Sequence, residues 1–541
     1  MIHASDEFLK VDDVTQSTHD ASTGALPRLR FCPAPSGWLH VGSARAALYN
    51  WLHARRHGGT FVFRIEDTDA SRATDESMRS MMEAMRWIGL DWDEGPTDDG
   101  SSLGAYGPYR QSERAALYTA VAQRLEESGA TYRDYRTAEE LEAWREAHRA
   151  GEGGGPPVVK SDEFEHSDDD IARFEDEGRT YSLRLRTPAD GTVVVDDLVR
   201  GEVSWEWSTI SDPVIVRSDG SATYPLANSI DDVAQGISLV CRGEDLLSVT
   251  PRQLLVHKAL HEGGLIDDAL AEVGFPARAE DWEPPASFAH LPMVVGMDRK
   301  KLSKRHGSVA IQEFRRQGFL PETLRNYLAL LGWSPRDGRE RLDDDDMIAA
   351  FDLSHVGRSA AAFDIDKLAA FNGERIRDLD QADLAARLIP HLDGTDGDVS
   401  LIALPPTADE LVMLAGLVPL VQERMQRLDE IEHYAAAFFA DDVEIDDDAR
   451  AKVLAKAGAA EALATARAAL DGADWDLASI ETALRDCAAN LEIGFGKLAQ
   501  PVRVAVTGST VSPPLFETLE LLGQRRSLAR IDAALATLTP G

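Results

Sequence analysis

The stretch from Arg28 to Ile65 constrains the fold of this chain more than any other. Arg28 to Pro33 is a short extended run, and Pro35-Ser36-Gly37 punctuates it as a turn. From His40 onward, Val41, Ala44, Leu48, Trp51 and Leu52 fall at helical spacing, and Gly58-Gly59 supplies the left-handed stop that such a helix needs. Thr60 to Ile65 then alternates as a strand does. The unit is βαβ, with its first helix opening straight out of a Pro/Gly turn. Outward-facing N–H groups and the helix dipole make that opening an anion site. His40 can donate to a phosphoryl oxygen there, and Gly42 lets a nucleotide lie close against the backbone. Taken alone, a His-x-Gly triplet is read more simply as capping or packing.

A second segment, Lys300-Lys301-Leu302-Ser303-Lys304-Arg305-His306-Gly307, packs cations onto a Gly-flanked stretch that can fold over a triphosphate. Pre-placed Lys or Arg stabilises charge developing on phosphate oxygens. By itself this segment reads equally as a surface charge run. Bulk charge points the other way: 56 basic against 93 acidic side chains give −37, where a nucleic-acid binder is expected to carry a basic footprint. Charge can be segregated by face, so the sum excludes no such surface. Asp168-Asp169-Asp170 and Asp343 to Asp346 read as solvated acidic loops, and further basic clusters sit at Arg315-Arg316 and at Arg525, Arg526 and Arg530.

With 541 residues the chain has room for roughly three or four domains. Residues 1–27 read as a disordered N-terminal extension, acidic and without the apolar core of a signal peptide. Residues 28–109 form the first half of a nucleotide-binding domain, including a methionine stripe (Met78, Met81, Met82, Met85) read as core. Residues 110–210 look like an insertion with extended runs at 181–186 and 192–196, and residues 211–275 return to the first domain. There a helix near 224–233 and a strand Ser238 to Arg242 lead to Thr250, read as an N-cap with Pro251 in the first turn. Residues 276–375 carry the lysine-rich loop, and 376–541 are Ala/Leu-rich with helical spacing throughout. Cys32, Cys241 and Cys487 form no CxxC or Cys/His cluster, so neither a disulfide framework nor structural zinc is expected. No apolar run approaches the roughly 20 residues of a membrane helix, and a reducing, cytoplasmic setting is expected.

Together the two motifs, in this order and on opposite sides of a split βαβ domain, resemble the HIGH and KMSKS signatures of class I aminoacyl-tRNA synthetases. Ser43 stands at the second His of the first signature, and the second has the Lys-Leu-Ser-Lys-Arg form; both variants are similar to the glutamyl branch. Arg64-Ile65-Glu66-Asp67-Thr68-Asp69, Arg217 to Gly220 leading to Tyr224, Asn228 and Asp231-Asp232, and Arg242-Gly243-Glu244-Asp245 extend the likeness. So do Pro501 to Gly508 and Ser512 to Phe516, in order and spacing from about residue 28 to the C-terminus. The fold implied is an α/β Rossmann-type nucleotide-binding catalytic domain with an α+β, acceptor-end-binding insertion, a stem-contact region, and an all-α C-terminal anticodon-binding region.

What the resemblance implies is ATP-dependent ligation of L-glutamate to tRNA-Glu through a glutamyl-adenylate, with Mg²⁺ assisting and no zinc. It places Arg30 and Arg242 at the glutamate; a guanidinium fork suits a carboxylate, and Arg242 is the favoured reader of the γ-carboxylate. Glu66 would hold the α-ammonium, and Tyr224 and Asn228 would orient the substrate. His40 and Gly42 fall to the ATP, Asp245 to the ribose, Lys304 to the phosphates with Lys301 second; His40 and Lys304 carry the catalytic assignment. Ala34 departs from the family's usual Ser, and Leu246 stands where an aromatic is common. Tyr132-Arg133-Asp134-Tyr135 lacks the cysteines of relatives with a zinc knuckle. Arg503, Arg525 and Arg526 are candidate anticodon-region contacts. A monomer is expected, with no membrane partner. The alternatives are a non-discriminating enzyme that also charges tRNA-Gln, a glutaminyl or queuosine-modifying relative, an RNA-independent nucleotidyltransferase, and a catalytically inactive tRNA-binding protein. The helical tail argues against the glutaminyl branch, which ends in β-barrels, and intact His40, Arg242 and Lys304 argue against an inactive protein.

Overall fold

A computed structural model describes residues 26–35, 37–68, 74–149, 157–261, 264–278, 287–302 and 309–538. Most of the expected extension 1–27 therefore lies outside the described residues, as does Lys304 with its neighbours Ser303 to Ser308. Two compact units emerge: Met1–Ile311 with Arg325–Phe363, and Gln312–Leu324 with Asp364–Gly541.

The first unit is built on a six-stranded sheet. Its strands are β1 (Arg28–Phe31), β2 (Thr60–Phe63), β3 (Thr192–Asp197), β4 (Gly201–Glu206), β5 (Leu239–Gly243) and β6 (Ser287–Leu291). They lie in the order β2-β1-β5-β6-β3-β4, parallel except for the β3–β4 hairpin. The expected helix is α1 (Val41–Arg56), with Val41, Ala44, Leu48 and Leu52 fully buried. Gly58 has φ +64 where the chain reverses, and a Cβ on Gly59 would come 2.1 Å from the Pro27 carbonyl oxygen, so only glycine lets the turn close. The methionine stripe lies on α2 (Asp75–Trp87), buried as expected. A core of Val62, Leu226, Ile230, Val240 and Phe288 joins the sheet to α3 (Tyr224–Ala234) and α4 (Thr250–His261).

A smaller antiparallel sheet pairs Thr131–Asp134 with Ser182–Leu185, and the latter with Val214–Val216. The two extended runs at 181–186 and 192–196 thus enter different sheets. β3 and β4 fall within the expected insertion in sequence yet extend the large sheet, and 214–216 falls beyond it yet completes the small one. A break at 210 separates no two sheets, because strand pairing follows the buried faces of Val193 and Val195 rather than proximity in sequence.

Three local readings need correction. Asp168 to Asp170 form the first turn of helix Asp168–Asp176 under a Ser167 cap, and Asp343 caps helix Asp344–Ala350. These acidic runs are helix starts, not loops, because carboxylates are favoured at the positive end of the helix dipole. Thr250 is not an N-cap: it is already helical at φ −52, ψ −45, following a 3₁₀ turn over Glu244–Val249. Its hydroxyl is used elsewhere.

In the second unit every described element is a helix, from Ile365–Asp378 to Gln524–Leu538, around a core that includes Leu384, Leu417, Leu463, Leu484, Val502 and Ile531. Of the arginines expected at the anticodon region, Arg503 donates to the Ser512 and Pro513 carbonyls and Arg526 to that of Phe438 at 2.7 Å, while Arg525 is exposed. The two bonded side chains already tie segments of this unit together. Among the described residues no helix is long and apolar enough to cross a membrane.

Candidate active site

Helix α1 starts at the turn that the sequence marked, and His40 is its N-cap. The His40 Nδ1 accepts from the Gly42 N–H at 3.4 Å, which leaves the ring proton on Nε2. Burial and the nearby Lys301 lower the imidazole's pKa, so the ring is neutral and Nε2–H is its donor. A Cβ on Gly42 would meet nothing nearer than His40 Nδ1 at 3.9 Å. No packing requires glycine there; the bare backbone faces open space.

The backbone around His40 is bonded to the far end of the second motif. Val41 N–H donates to the Val309 carbonyl at 2.9 Å, Ile311 N–H donates to that of Leu39 at 2.8 Å, and His40 pairs with Ala310. On the near side, Lys301 pairs antiparallel with Val295. The described flanks of the lysine-rich segment thus sit at the same place as the first motif, 260 and more residues apart in sequence.

A cleft of about 590 Å³ opens there, lined by Arg30, His40, Gly42, Glu66, Tyr224, Arg242, Asp245 and Lys301. Asn228 is fully buried behind its wall. Its Nδ2 donates to Glu66, and its Oδ1 accepts from Arg30 Nη2 at 3.4 Å and Gln253 Nε2 at 3.2 Å. Asn228 therefore reaches the cleft through Glu66. Burial, only partly offset by Arg64, lifts the Glu66 carboxyl above its ordinary 4.5. Burial likewise raises the Tyr224 phenol and pushes the Cys32 thiol to about 11, so both stay protonated at neutral pH.

The two arginines expected at the glutamate differ sharply. Arg30 donates Nε to Asp232 at 3.1 Å, and its charge is met. Asp232 also takes Arg64 at 2.8 Å, while Asp231 takes Arg114 at 2.6 Å, Gln111 and the Tyr118 hydroxyl. Against burial, which would raise it, Arg30 and Arg64 hold the Asp232 carboxyl down at about 2. This network under the cleft gives the Asp231-Asp232 pair a structural purpose that the sequence left open. Arg242, 5% exposed, has no carboxylate partner among the described residues. It donates Nε to His290 Nε2 at 3.0 Å and Nη2 to Thr250 Oγ1 at 2.9 Å and to the Leu246 carbonyl at 3.3 Å. Its Nη1 is buried without a hydrogen-bond partner among the described residues. Such an atom costs free energy unless something docks against it. His290, Thr250 and Asp197 were missed from sequence; a lone histidine in an apolar strand reads as core.

Comparison with known proteins places the chain in a family. The family profile described as tRNA synthetases class I (E and Q), catalytic domain, matches residues 28–263 and 277–370, and an anticodon binding domain matches 383–535. The glutamate–tRNA ligase of Saccharopolyspora erythraea is 42% identical over 528 residues, covering 96% of this chain and 99% of that protein. That of Mycobacterium bovis is 43% identical over 510 residues, covering 94% and 97%. The crystal structure of a glutamate tRNA ligase from Elizabethkingia meningosepticum, in complex with its amino acid, superposes with a TM-score of 0.75 at 28% identity, covering 95% of this chain and all of that one. On profile, sequence and fold together, the chain belongs to the glutamate–tRNA ligase family of class I tRNA synthetases.

Proposed function

We propose that this protein uses ATP to join L-glutamate to the 3′ end of tRNA-Glu, through a glutamyl-adenylate and with release of AMP and pyrophosphate. The observation that carries the reading is the buried, uncompensated guanidinium of Arg242 opening on the same cleft as the His40–Gly42 helix start. The glutamate γ-carboxylate docks on Arg242 Nη1, and the α-ammonium meets Glu66, which Asn228 holds in place. Tyr224 orients the substrate, and Arg30 adds its field from beneath while bound to Asp232. The ATP phosphates lie over Gly42, within reach of the His40 Nε2–H and of Lys301, with Lys304 as the further cation and Asp245 at the ribose. The α-carboxylate attacks the α-phosphorus and pyrophosphate leaves. The terminal 2′-OH of tRNA then attacks the adenylate carbonyl, and AMP departs. No side chain forms a covalent bond; rate comes from positioning and charge stabilisation. Among the described residues no three His, Cys, Asp or Glu are grouped to hold a metal. Mg²⁺ fits this reading as a companion of the nucleotide phosphates. The helical unit reads the anticodon, and the enzyme works as a cytoplasmic monomer.

Charging of purified tRNA-Glu and tRNA-Gln with labelled glutamate tests the proposal. Glutamyl-tRNA-Glu is expected; acceptance by neither tRNA defeats the reading, and acceptance by both marks a non-discriminating enzyme.

The raised carboxyl of Glu66 adds a pH signature. Only the ionised form holds an ammonium, so the Michaelis constant for glutamate should climb on the acid side, beginning above 4.5. In Glu66→Gln the constant is high throughout and this acid limb is absent. A wild-type constant that is level down to pH 4.5 counts against the role of Glu66.

A further inference from the structure

Resting on the reading that Arg242 receives the substrate carboxylate, we infer that Asp197, His290 and Thr250 are positioning residues that aim its guanidinium while leaving its charge uncompensated. The sheet puts them there. Arg242 on β5 lies opposite His290 on β6, and Asp197 ends β3, the next strand across. Four donors converge on the Asp197 carboxylate: the backbone N–H groups of Val199 at 2.9 Å, Arg200 at 2.8 Å and His290 at 3.0 Å, and His290 Nδ1 at 2.6 Å. A carboxylate so surrounded is ionised, and it holds the imidazole proton on Nδ1. The lone pair of Nε2 therefore faces Arg242 Nε–H. Thr250 Oγ1 accepts from Nη2 and stands 3.2 Å from Nε2, fixing the plane of the fork from a second side.

Among the described residues every group that accepts from Arg242 is neutral: an imidazole nitrogen, a hydroxyl oxygen and a carbonyl. The negative charge stands one imidazole away. Arg30, Arg64 and Arg114 are each bonded to an aspartate directly. A carboxylate in direct contact would neutralise Arg242 and compete with the incoming substrate, whereas neutral acceptors orient it and leave the full cation for the ligand. The relay needs an unprotonated ring, since imidazolium would set one N–H against another. Burial supports that state by lowering the pKa of His290.

The test compares wild type with His290→Leu, His290→Gln and Thr250→Val in steady-state charging, reading the Michaelis constants for glutamate and ATP separately. His290→Leu should raise that for glutamate by tenfold or more (~1.4 kcal/mol per tenfold) and leave that for ATP within about twofold. His290→Gln, whose side-chain oxygen reaches the place of Nε2, should recover most of the loss. Thr250→Val, close to isosteric, should shift glutamate alone and decides the matter if His290→Leu does not fold. An unchanged glutamate constant in the folded variants, or parallel rises for glutamate and ATP, overturns the relay and leaves a merely structural cluster. A wild type that charges no tRNA with glutamate overturns the functional reading itself, and the relay with it.

Discussion

Arg242→Lys is expected to lower kcat/KM for glutamate by about two to three orders of magnitude, with the Michaelis constant for ATP little changed. Lysine keeps the charge but has no fork: it cannot donate at once to His290, to Thr250 and to a carboxylate placed at Nη1. Breaking a buried, hydrogen-bonded charge pair costs about 3–5 kcal/mol, and each factor of ten is about 1.4 kcal/mol, which sets the size of the effect. The same variant should lose discrimination between glutamate and glutamine. The two differ mainly in charge at the side-chain end, and a near-isostere is rejected only by a polar partner left unmatched. Steady-state charging with each amino acid measures both quantities. A fall smaller than tenfold, or one shared equally by ATP, assigns the reading of the carboxylate to another residue.

Asp232→Asn should act on the fold before it acts on chemistry. The carboxylate is 1% exposed and bridges Arg30 and Arg64, so the amide leaves two buried cations short of a counter-charge. The expected loss is about 3–5 kcal/mol, seen as a lower urea midpoint and melting temperature of the first unit. The sign with pH follows from the direction of the shift. With the folded carboxyl held at about 2 against an ordinary 3.8, the stabilisation is fully present above the ordinary value and disappears as pH falls through the lower one. Its size is roughly 2–3 kcal/mol. The difference in stability between wild type and Asp232→Asn should therefore shrink across that acid window. A variant that melts with wild type at neutral pH refutes the bridging role.

The contrast between these two arginines measures what was legible in the sequence. Local periodicity carried the elements: the Pro/Gly turn, α1, the buried methionine stripe and the helices of the second unit are all short-range patterns of apolar spacing. Motif order carried the membership of the cleft, and it brought Arg30, His40, Gly42, Glu66, Tyr224, Arg242, Asp245 and Lys301 to one place. Spacing does not say which arginine is already paired. Arg30 meets Asp232 from about 200 residues away, and Arg242 meets His290 only because β5 and β6 lie in register. Thr250 misled for a related reason: Thr before Pro has the look of a cap, yet a 3₁₀ turn carries the chain straight into α4 and releases the hydroxyl for Arg242. The acidic runs misled because a cluster of aspartates looks like loop until the helix that it starts is seen. Asn228, expected on the substrate, lies buried behind Glu66 with both ends of its amide hydrogen-bonded, a pairing that spacing does not show.

The interleaving of the two sheets limits how this protein can be rearranged. Asp197 ends a strand that sequence order would assign to an appended module, while the helix that houses Thr250 comes more than fifty residues later. An engineer who swapped 110–210 for the matching stretch of a distant homologue would carry away Asp197, which holds His290 against Arg242, along with the grafted surface. A graft that ends before β3 spares Asp197 but leaves Val214–Val216 in the host, so the new segment must present Ser182–Leu185 in a register that this strand accepts.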